Sequence, residues 1–202
     1  MKALSAILFS CIVCTAFAQA QDEGGYDKEF YRTELSRYTE SFRRSASGTS
    51  ADDRIDVGYY KLDLRITTTP RYLRGNVVVK AISLQNGLSL ITLDLMNSLT
   101  IDSVTVGGLS MPFQQHTSSF DVVLDHAYTT GAAITVQVYY QGIPGSSGFG
   151  SFEFSTHSSV PWVWSLSEPY GAKDWWPCKD HPMDKADSAD IIVTCDSLYK
   201  VG

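Results

Sequence analysis

The segment from Trp164 to Ala189 concentrates the side chains of this sequence that could do chemistry. Its sequence, WSLSEPYGAKDWWPCKDHPMDKADSA, combines carboxylates, lysines, tryptophans, one cysteine and one histidine. It lacks the two-residue alternation of a strand, which predicts an ordered loop whose aromatic side chains are covered by other parts of the fold. A carboxylate held in such a loop can bind an ammonium group through charge-assisted hydrogen bonds.

Metal binding is not indicated by the residues of this chain. No Asp-x-Asp-x-Asp-Gly calcium pattern occurs, and we expect caps, turns and salt bridges from Asp180, Asp184, Asp187 and Asp190. The histidines are scattered, and none is followed by glutamate: His116, His126, His157 and His181. A hydrolytic zinc needs three fixed protein ligands and a general base. We therefore expect no metal and no cofactor in this chain.

The tryptophans have two possible uses. Flat aromatic faces beside polar groups suit sugar stacking, whereas packing in the core or against another domain is the expectation that we favour. The residues concerned are Trp162, Trp164, Trp175 and Trp176.

Short apolar runs with a two-residue period must position this loop. From Tyr60 to Ile66, apolar residues alternate with polar ones, as a strand with one wet face requires. Further β-branched and aromatic runs are separated by turn signals such as Asn86-Gly87 and Pro144-Gly145. Because no long helical pattern lies between these runs, we expect an all-β, mostly antiparallel β-sandwich or large open sheet over residues 55–202.

Two elements of a different kind precede the β domain. Residues 1–20 combine Lys2, a short apolar run and the small residues Ala18 and Ala20, which predicts a secretory signal peptide. Residues 21–54 predict a short amphipathic helix, from Tyr26 to Arg44, and then a flexible linker. We expect an exported protein, secreted or periplasmic, with no membrane attachment after signal cleavage.

Export would leave two cysteines, Cys178 and Cys195, in an oxidising setting. A single disulfide between them and two buried free thiols are equally compatible with the sequence. The formal net charge of −6 excludes a broad basic surface, so we expect no nucleic-acid partner.

Several residues of the loop form a spaced sequence pattern that can be compared with known families. They are Glu168-Pro169, Ala172-Lys173, Trp176-Pro177-Cys178, Asp180, Pro182 and Lys185-Ala186. This register resembles the N-terminal domain of the aminopeptidase N family of zinc metallopeptidases (gluzincin aminopeptidases). Strands similar to those of the family precede the loop in the same order, and the resemblance runs from about Tyr59 to the last residue.

The resemblance implies a role for Glu168. In the family, the corresponding acid reaches into the active site of the complete enzyme and pairs with the free α-amino group of the peptide. Lys185 would be a structural partner for a nearby acid, or a free surface lysine. Two positions depart from the family pattern, because Leu166 stands where glutamine is usual and His181 where glutamate is usual.

The resemblance also implies what is missing. The family's His-Glu-x-x-His and Gly-x-Met-x-Asn motifs are absent, and the sequence stops close to where the family's zinc-binding catalytic domain begins. We therefore expect a truncated, inactive N-terminal domain that caps the substrate of a secreted zinc-dependent aminopeptidase. Its partners would be the peptide's amino terminus and the missing catalytic domain. An exposed apolar face, normally covered by that domain, would make the isolated chain poorly soluble or self-associating.

A different class of function remains open. The same strands would suit a stand-alone secreted β-sandwich binding module, with the tryptophan-rich loop recognising a carbohydrate or a protein partner.

Overall fold

The computed structural model describes residues 32, 36, 52–147, 150–168, 170–182 and 184–201. From residue 52 onward these residues form β-strands and one short 3₁₀ helix (Ala172–Asp174). In chain order, the strands are β1 (Ile55–Thr68), β2 (Arg71–Ser83), β3 (Leu88–Asp94), β4 (Leu99–Val106), β5 (Leu109–Ser110), β6 (Phe113–Gln115), β7 (Ser119–Tyr128), β8 (Ala133–Gly142), β9 (Glu153–His157), β10 (Val160–Trp164) and β11 (Ser188–Thr194).

The strands form two main sheets and a separate hairpin. One sheet has six strands in the order β11-β1-β2-β8-β4-β5, and the other has three in the order β3-β7-β6. Strands β9 and β10 pair only with each other in the described chain. Neighbouring strands are antiparallel except for β1 and β11, which are parallel. The predicted all-β, mostly antiparallel fold is confirmed.

The two main sheets share one hydrophobic core. On β2, Val77 and Val79 are buried while the residues next to them in the strand are more exposed. On β7, Phe120 and Val122 are likewise buried between more exposed neighbours. Each such side chain contributes about 1.5–3 kcal/mol when it leaves water. The two-residue alternation therefore fixes which face of each strand points inward.

Tyr140, on a central strand, connects this core to the loop. Gly75 on β2 faces Tyr140 on β8, and a Cβ at Gly75 would lie 2.4 Å from the Tyr140 ring. Only glycine leaves room for the ring here. The buried Tyr140 hydroxyl then donates a 2.9 Å hydrogen bond to the carbonyl oxygen of Trp175, so the sheet holds the loop at that point.

Predictions for the N-terminal 51 residues fall mostly outside the described part of the chain. The signal peptide predicted over 1–20 lies wholly outside it, and so does most of the linker. In the helix predicted from Tyr26 to Arg44, Arg32 and Ser36 are described, and both are helical. Among the described residues, no helix has the length and apolar character needed to cross a membrane.

Candidate functional site

The chain from residue 165 to residue 187 runs from the end of β10 to the start of β11 and packs against the edge of the sandwich. Its Cys178 pairs with Asp94 at the end of β3 in the manner of an antiparallel strand. The Asp94 N–H donates to the Cys178 carbonyl oxygen at 2.7 Å, and the Cys178 N–H donates back at 3.0 Å. The segment is therefore tied to the smaller sheet by backbone hydrogen bonds.

Asp180 is buried and links three parts of the loop region. Its N–H donates to the Asp94 carboxylate at 2.9 Å. Its own carboxylate accepts a 3.2 Å hydrogen bond from the Gly171 N–H and lies 3.5 Å from the Lys173 ammonium. Burial raises the pKa of Asp180 above its ordinary value, because desolvation outweighs the nearby Lys173 charge.

Lys179 is a buried cation with all its polar groups engaged. Its ammonium donates to the carbonyl oxygen of Ile55 at 2.7 Å and forms an ion pair with Asp184. Its backbone N–H donates to the Tyr60 hydroxyl at 2.9 Å. Because the ammonium is bound to Ile55 and the backbone N–H to Tyr60, this lysine fixes the loop to β1.

Asp174 fixes the other half of the segment. This buried carboxylate accepts hydrogen bonds from the hydroxyls of Ser147 and Ser151, which lie in the turn before β9. The adjacent indole N–H of Trp175 donates to the Ser167 hydroxyl at 2.8 Å. Residues on both sides of Glu168 are thus held in place.

The two tryptophans of the loop are packed, whereas Trp162 on β10 is not. Trp175 is buried and packs on Phe152 at a ring distance of 5.3 Å, while Trp176 meets Tyr60 edge to face at 4.7 Å. Trp162 instead leaves 49% of its surface exposed. Packing therefore explains the presence of Trp175 and Trp176, but it does not explain the exposed Trp162.

Glu168 projects from this fixed segment into solvent. Its side chain is 79% exposed and lies 3.1 Å from the ammonium of Lys185, which is itself 70% exposed. Leu166, two residues earlier, is also exposed, whereas Ser167 between them turns toward Trp175. The arrangement presents a carboxylate that can accept hydrogen bonds from an ammonium group.

The cysteines that could form a disulfide are both free thiols. Cys178 is buried, and burial raises the pKa of its thiol well above the ordinary value. Cys195 is partly exposed. The structure joins neither of them in a disulfide, and the choice between the two alternatives left by the sequence stays a prediction.

The aspartates of the loop and of β11 serve as hydrogen-bond and ion-pair partners. Asp190 accepts a 2.8 Å hydrogen bond from the Tyr59 hydroxyl, and the Asp187 N–H donates to the Gly58 carbonyl oxygen at 3.0 Å. Across the described residues, no group of three His, Cys, Asp or Glu side chains is placed to hold a metal ion. This part of the chain therefore does not fit a catalytic zinc, which needs three protein ligands.

Some residues that organise the site were missed from the sequence. Asp94 ends β3 next to the buried Leu93, and a carboxylate beside buried apolar residues is a signal of a specific polar partner. Ser151 carried no comparable signal, because serine is common in Gly- and Ser-rich turns. The segment Leu93-Asp94-Leu95 is one of those that resemble the family, but no role was predicted for Asp94 or for Ser151.

The fold and this loop match a known protein family. The peptidase M1 N-terminal domain matches residues 57–199 of the sequence. The chain belongs to the peptidase M1 family. The match includes every described strand except the first two residues of β1, and it includes the whole segment that holds Glu168.

Solved M1 structures resemble this M1 domain. An M1 zinc metallopeptidase from Deinococcus radiodurans, a mutant bound to a Tyr-Ser-Ala substrate, is 26% identical with a TM-score of 0.61, over 71% of this chain and 33% of that one. A two-domain M1 zinc metallopeptidase mutant bound to L-arginine is 27% identical with a TM-score of 0.63, over 74% and 34%. No curated protein sequence matches the chain.

A more distant structure shares the fold. Native yeast LTA4 hydrolase is 18% identical with a TM-score of 0.58, over 71% of this chain and 23% of that one. Our chain spans about a third of the length of the first two M1 structures. It corresponds to an N-terminal domain of this family of zinc aminopeptidases.

Proposed function

We propose that this M1 domain covers one side of a zinc aminopeptidase active site and that Glu168 holds the amino terminus of the peptide. The main support is an exposed carboxylate in the family register, carried on a segment that buried Asp174, Lys179 and Asp180 fasten to the sandwich. A rigid support allows such a carboxylate to select a ligand by position as well as by charge.

Lys185 indicates which chemistry Glu168 favours. Its ammonium lies 3.1 Å from the Glu168 carboxylate, where a substrate α-ammonium would make the same type of contact. Because both side chains are largely exposed, their ion pair contributes only about 0–1 kcal/mol. A substrate amino group can therefore displace Lys185 at little cost.

Closure of a second domain over the substrate would strengthen the new contact. A carboxylate–ammonium pair gains strength when water is removed from around it. A peptide with an acetylated amino end carries no positive charge, so it would leave Glu168 desolvated without a cation. This penalty would restrict the enzyme to free amino termini. Tyr-Ser-Ala and L-arginine, bound by the M1 relatives, both have a free α-amino group.

In this proposal the peptide bond is hydrolysed in a separate catalytic domain that binds zinc. Zinc held there would polarise the scissile carbonyl and activate a water molecule. The residues of this domain contribute the amino-end anchor and the wall that excludes water.

The activity can be tested with the protein encoded by the whole reading frame. We expect it to hydrolyse amino-acid anilides with a free amino group, to lose that activity on chelation of zinc, and to regain it when zinc is returned. The N-acetylated anilides serve as the matched control, and we expect no cleavage of them. Equal cleavage of free and acetylated anilides would contradict an amino-end anchor.

We also propose that the protein is exported after removal of residues 1–20. The support is the charged, apolar and small-residue pattern that ends at Ala20. Expression with the native leader, followed by amino-terminal sequencing of the medium or periplasmic fraction, should give a protein that begins at Gln21. Retention of Met1 in the cytosolic fraction would contradict export.

A further inference from the structure

A pocket of about 230 Å³ lies between the β1–β2 turn and the β9–β10 hairpin. Thr69 and Arg71 line it from the turn, and Ser155, Thr156 and Trp162 line it from the hairpin. We propose that this pocket binds a single sugar ring that carries a carboxylate. This inference is independent of the proposed peptidase role of Glu168, which does not line the pocket.

Trp162 supplies an apolar face for the ring. It is 49% exposed, although tryptophan ranks among the more buried residue types, and its ring centroid lies 6.4 Å from that of Trp164. A flat, half-exposed aromatic ring beside polar side chains provides an amphipathic surface, which suits a sugar because a sugar presents C–H groups on one face and hydroxyls at its rim.

Arg71 supplies the charge that selects an acid. No lining residue of the pocket is acidic. The Arg71 guanidinium forms no ion pair or hydrogen bond with any residue that the structure describes. In a chain whose formal net charge is −6, this pocket is therefore locally positive. Guanidinium groups bind carboxylates with two parallel hydrogen bonds, which fixes the orientation of the ligand.

Hydroxyl groups complete the polar rim. Thr69 and Ser155 line the pocket, and neither of their hydroxyls is bonded to another described residue. Ser155 is the cross-strand partner of Trp162, so the two side chains lie on the same face of the hairpin. By contrast, the Thr68 hydroxyl is already paired with the Tyr199 hydroxyl at 3.0 Å. The two open hydroxyls can both donate and accept, as the hydroxyls of a sugar require.

The size of the pocket limits the ligand to one ring. Sites for drug-sized molecules have volumes of about 300–1,000 Å³, and this pocket is smaller. A single pyranose, or the terminal ring of a longer glycan, is the matching size.

The test is a titration of the full chain followed by ¹H–¹⁵N NMR, with D-glucuronate, D-glucose and acetate as probes. We expect glucuronate to shift the Trp162 indole resonance in a saturable way and to bind about 10-fold more tightly than either glucose or acetate, because only glucuronate can make both the stacking contact and the charge-assisted hydrogen bonds to Arg71. Arg71→Gln should weaken glucuronate about 10-fold and leave glucose unchanged.

Variants of Trp162 test the stacking surface. In these variants, which lack the indole, the backbone amide resonances of Ser155 and Thr156 report binding. Trp162→Ala should abolish binding of glucuronate, and Trp162→Phe, which keeps an aromatic face, should retain it within a few-fold. Arg74→Gln and Tyr139→Ala remove an arginine and a partly exposed aromatic ring outside the pocket lining, and both should bind like the unaltered chain. The NMR spectra show directly whether each variant is folded.

Three results would overturn the proposal. Acetate that binds as tightly as glucuronate would show that the pocket recognises only the carboxylate and not the sugar ring. Glucose that binds as tightly as glucuronate would remove the role of Arg71. No saturable change at Trp162 with any probe would exclude a sugar site.

Discussion

Glu168 and Asp180 are two carboxylates of one loop that differ in what surrounds them. Glu168 is largely exposed beside Lys185, whereas Asp180 is buried and accepts a hydrogen bond from a backbone N–H. The sequence register pointed to Glu168 as a ligand anchor, and its accessibility is what that role requires. It did not distinguish Asp180 as buried, because burial depends on contacts such as the one with Asp94, which lies 86 residues away in the chain.

The buried charge of Asp180 predicts a specific pH dependence of stability. Since the pKa of Asp180 is raised in the fold, the folded state favours the protonated acid, and ionisation destabilises the fold as pH rises through the raised pKa. Asp180→Asn keeps an acceptor for the Gly171 N–H and removes the charge. The melting temperature of Asp180→Asn minus that of the unaltered chain should therefore increase from pH 4 to pH 7.

Thermal melts at several pH values measure this difference. Asp63→Asn, at an exposed position on β1, controls for the loss of one negative charge and should show no such increase. A difference that becomes smaller as pH rises would show that ionised Asp180 stabilises the fold.

The two-residue alternation of apolar and polar residues predicted some strands of the structure and missed others. The run from Tyr60 to Ile66 was predicted as a strand and lies within β1, which extends it at both ends. The short strands β5 and β6 were missed, because two or three residues cannot display a period. The parallel pairing of β11 with β1 was also not predictable, since it joins segments more than a hundred residues apart and depends on the path of the intervening loop.

Gly75 tests how the central sheet positions the loop. In Gly75→Ala, the new methyl group would overlap the Tyr140 ring and disturb the hydrogen bond from Tyr140 to Trp175. Overpacking of this kind costs about 1–3 kcal/mol. Urea denaturation should show that loss in the free energy of unfolding.

Gly145→Ala is the matched control for this substitution. The nearest atom to a Cβ at Gly145 is the Ser98 hydroxyl oxygen at 3.6 Å, an ordinary contact distance. Its stability should stay within about 0.5 kcal/mol of the unaltered chain. Equal stability of the two variants would mean that the Tyr140 ring moves without cost.

The molecule as a whole has an open apolar edge at β11. Ile191 is 62% exposed and Ile192 is 43% exposed on this edge strand, which pairs only with β1 in the described chain. Unpaired edges with exposed apolar side chains favour association with other chains. This agrees with the poor solubility predicted from the sequence, which remains a prediction until it is measured.

Self-association should therefore depend on β11. Ile191→Lys places a charge on the edge and should shift the isolated chain toward monomer in sedimentation velocity runs at high concentration. Leu109→Lys adds the same charge at the other edge strand, β5, where the side chain is 61% exposed. An equal effect of the two substitutions would indicate a general charge effect instead of association through β11.

The central claim is that Glu168 binds the amino terminus of a peptide, and one kinetic measurement tests it most directly. In the protein encoded by the whole reading frame, kcat/KM for a free-amine anilide should fall about 30-fold or more in Glu168→Gln, because loss of a buried charge partner costs about 2–5 kcal/mol. Glu153→Gln makes the same chemical change at another acid and should keep the original kcat/KM. An unchanged kcat/KM in Glu168→Gln would contradict the account.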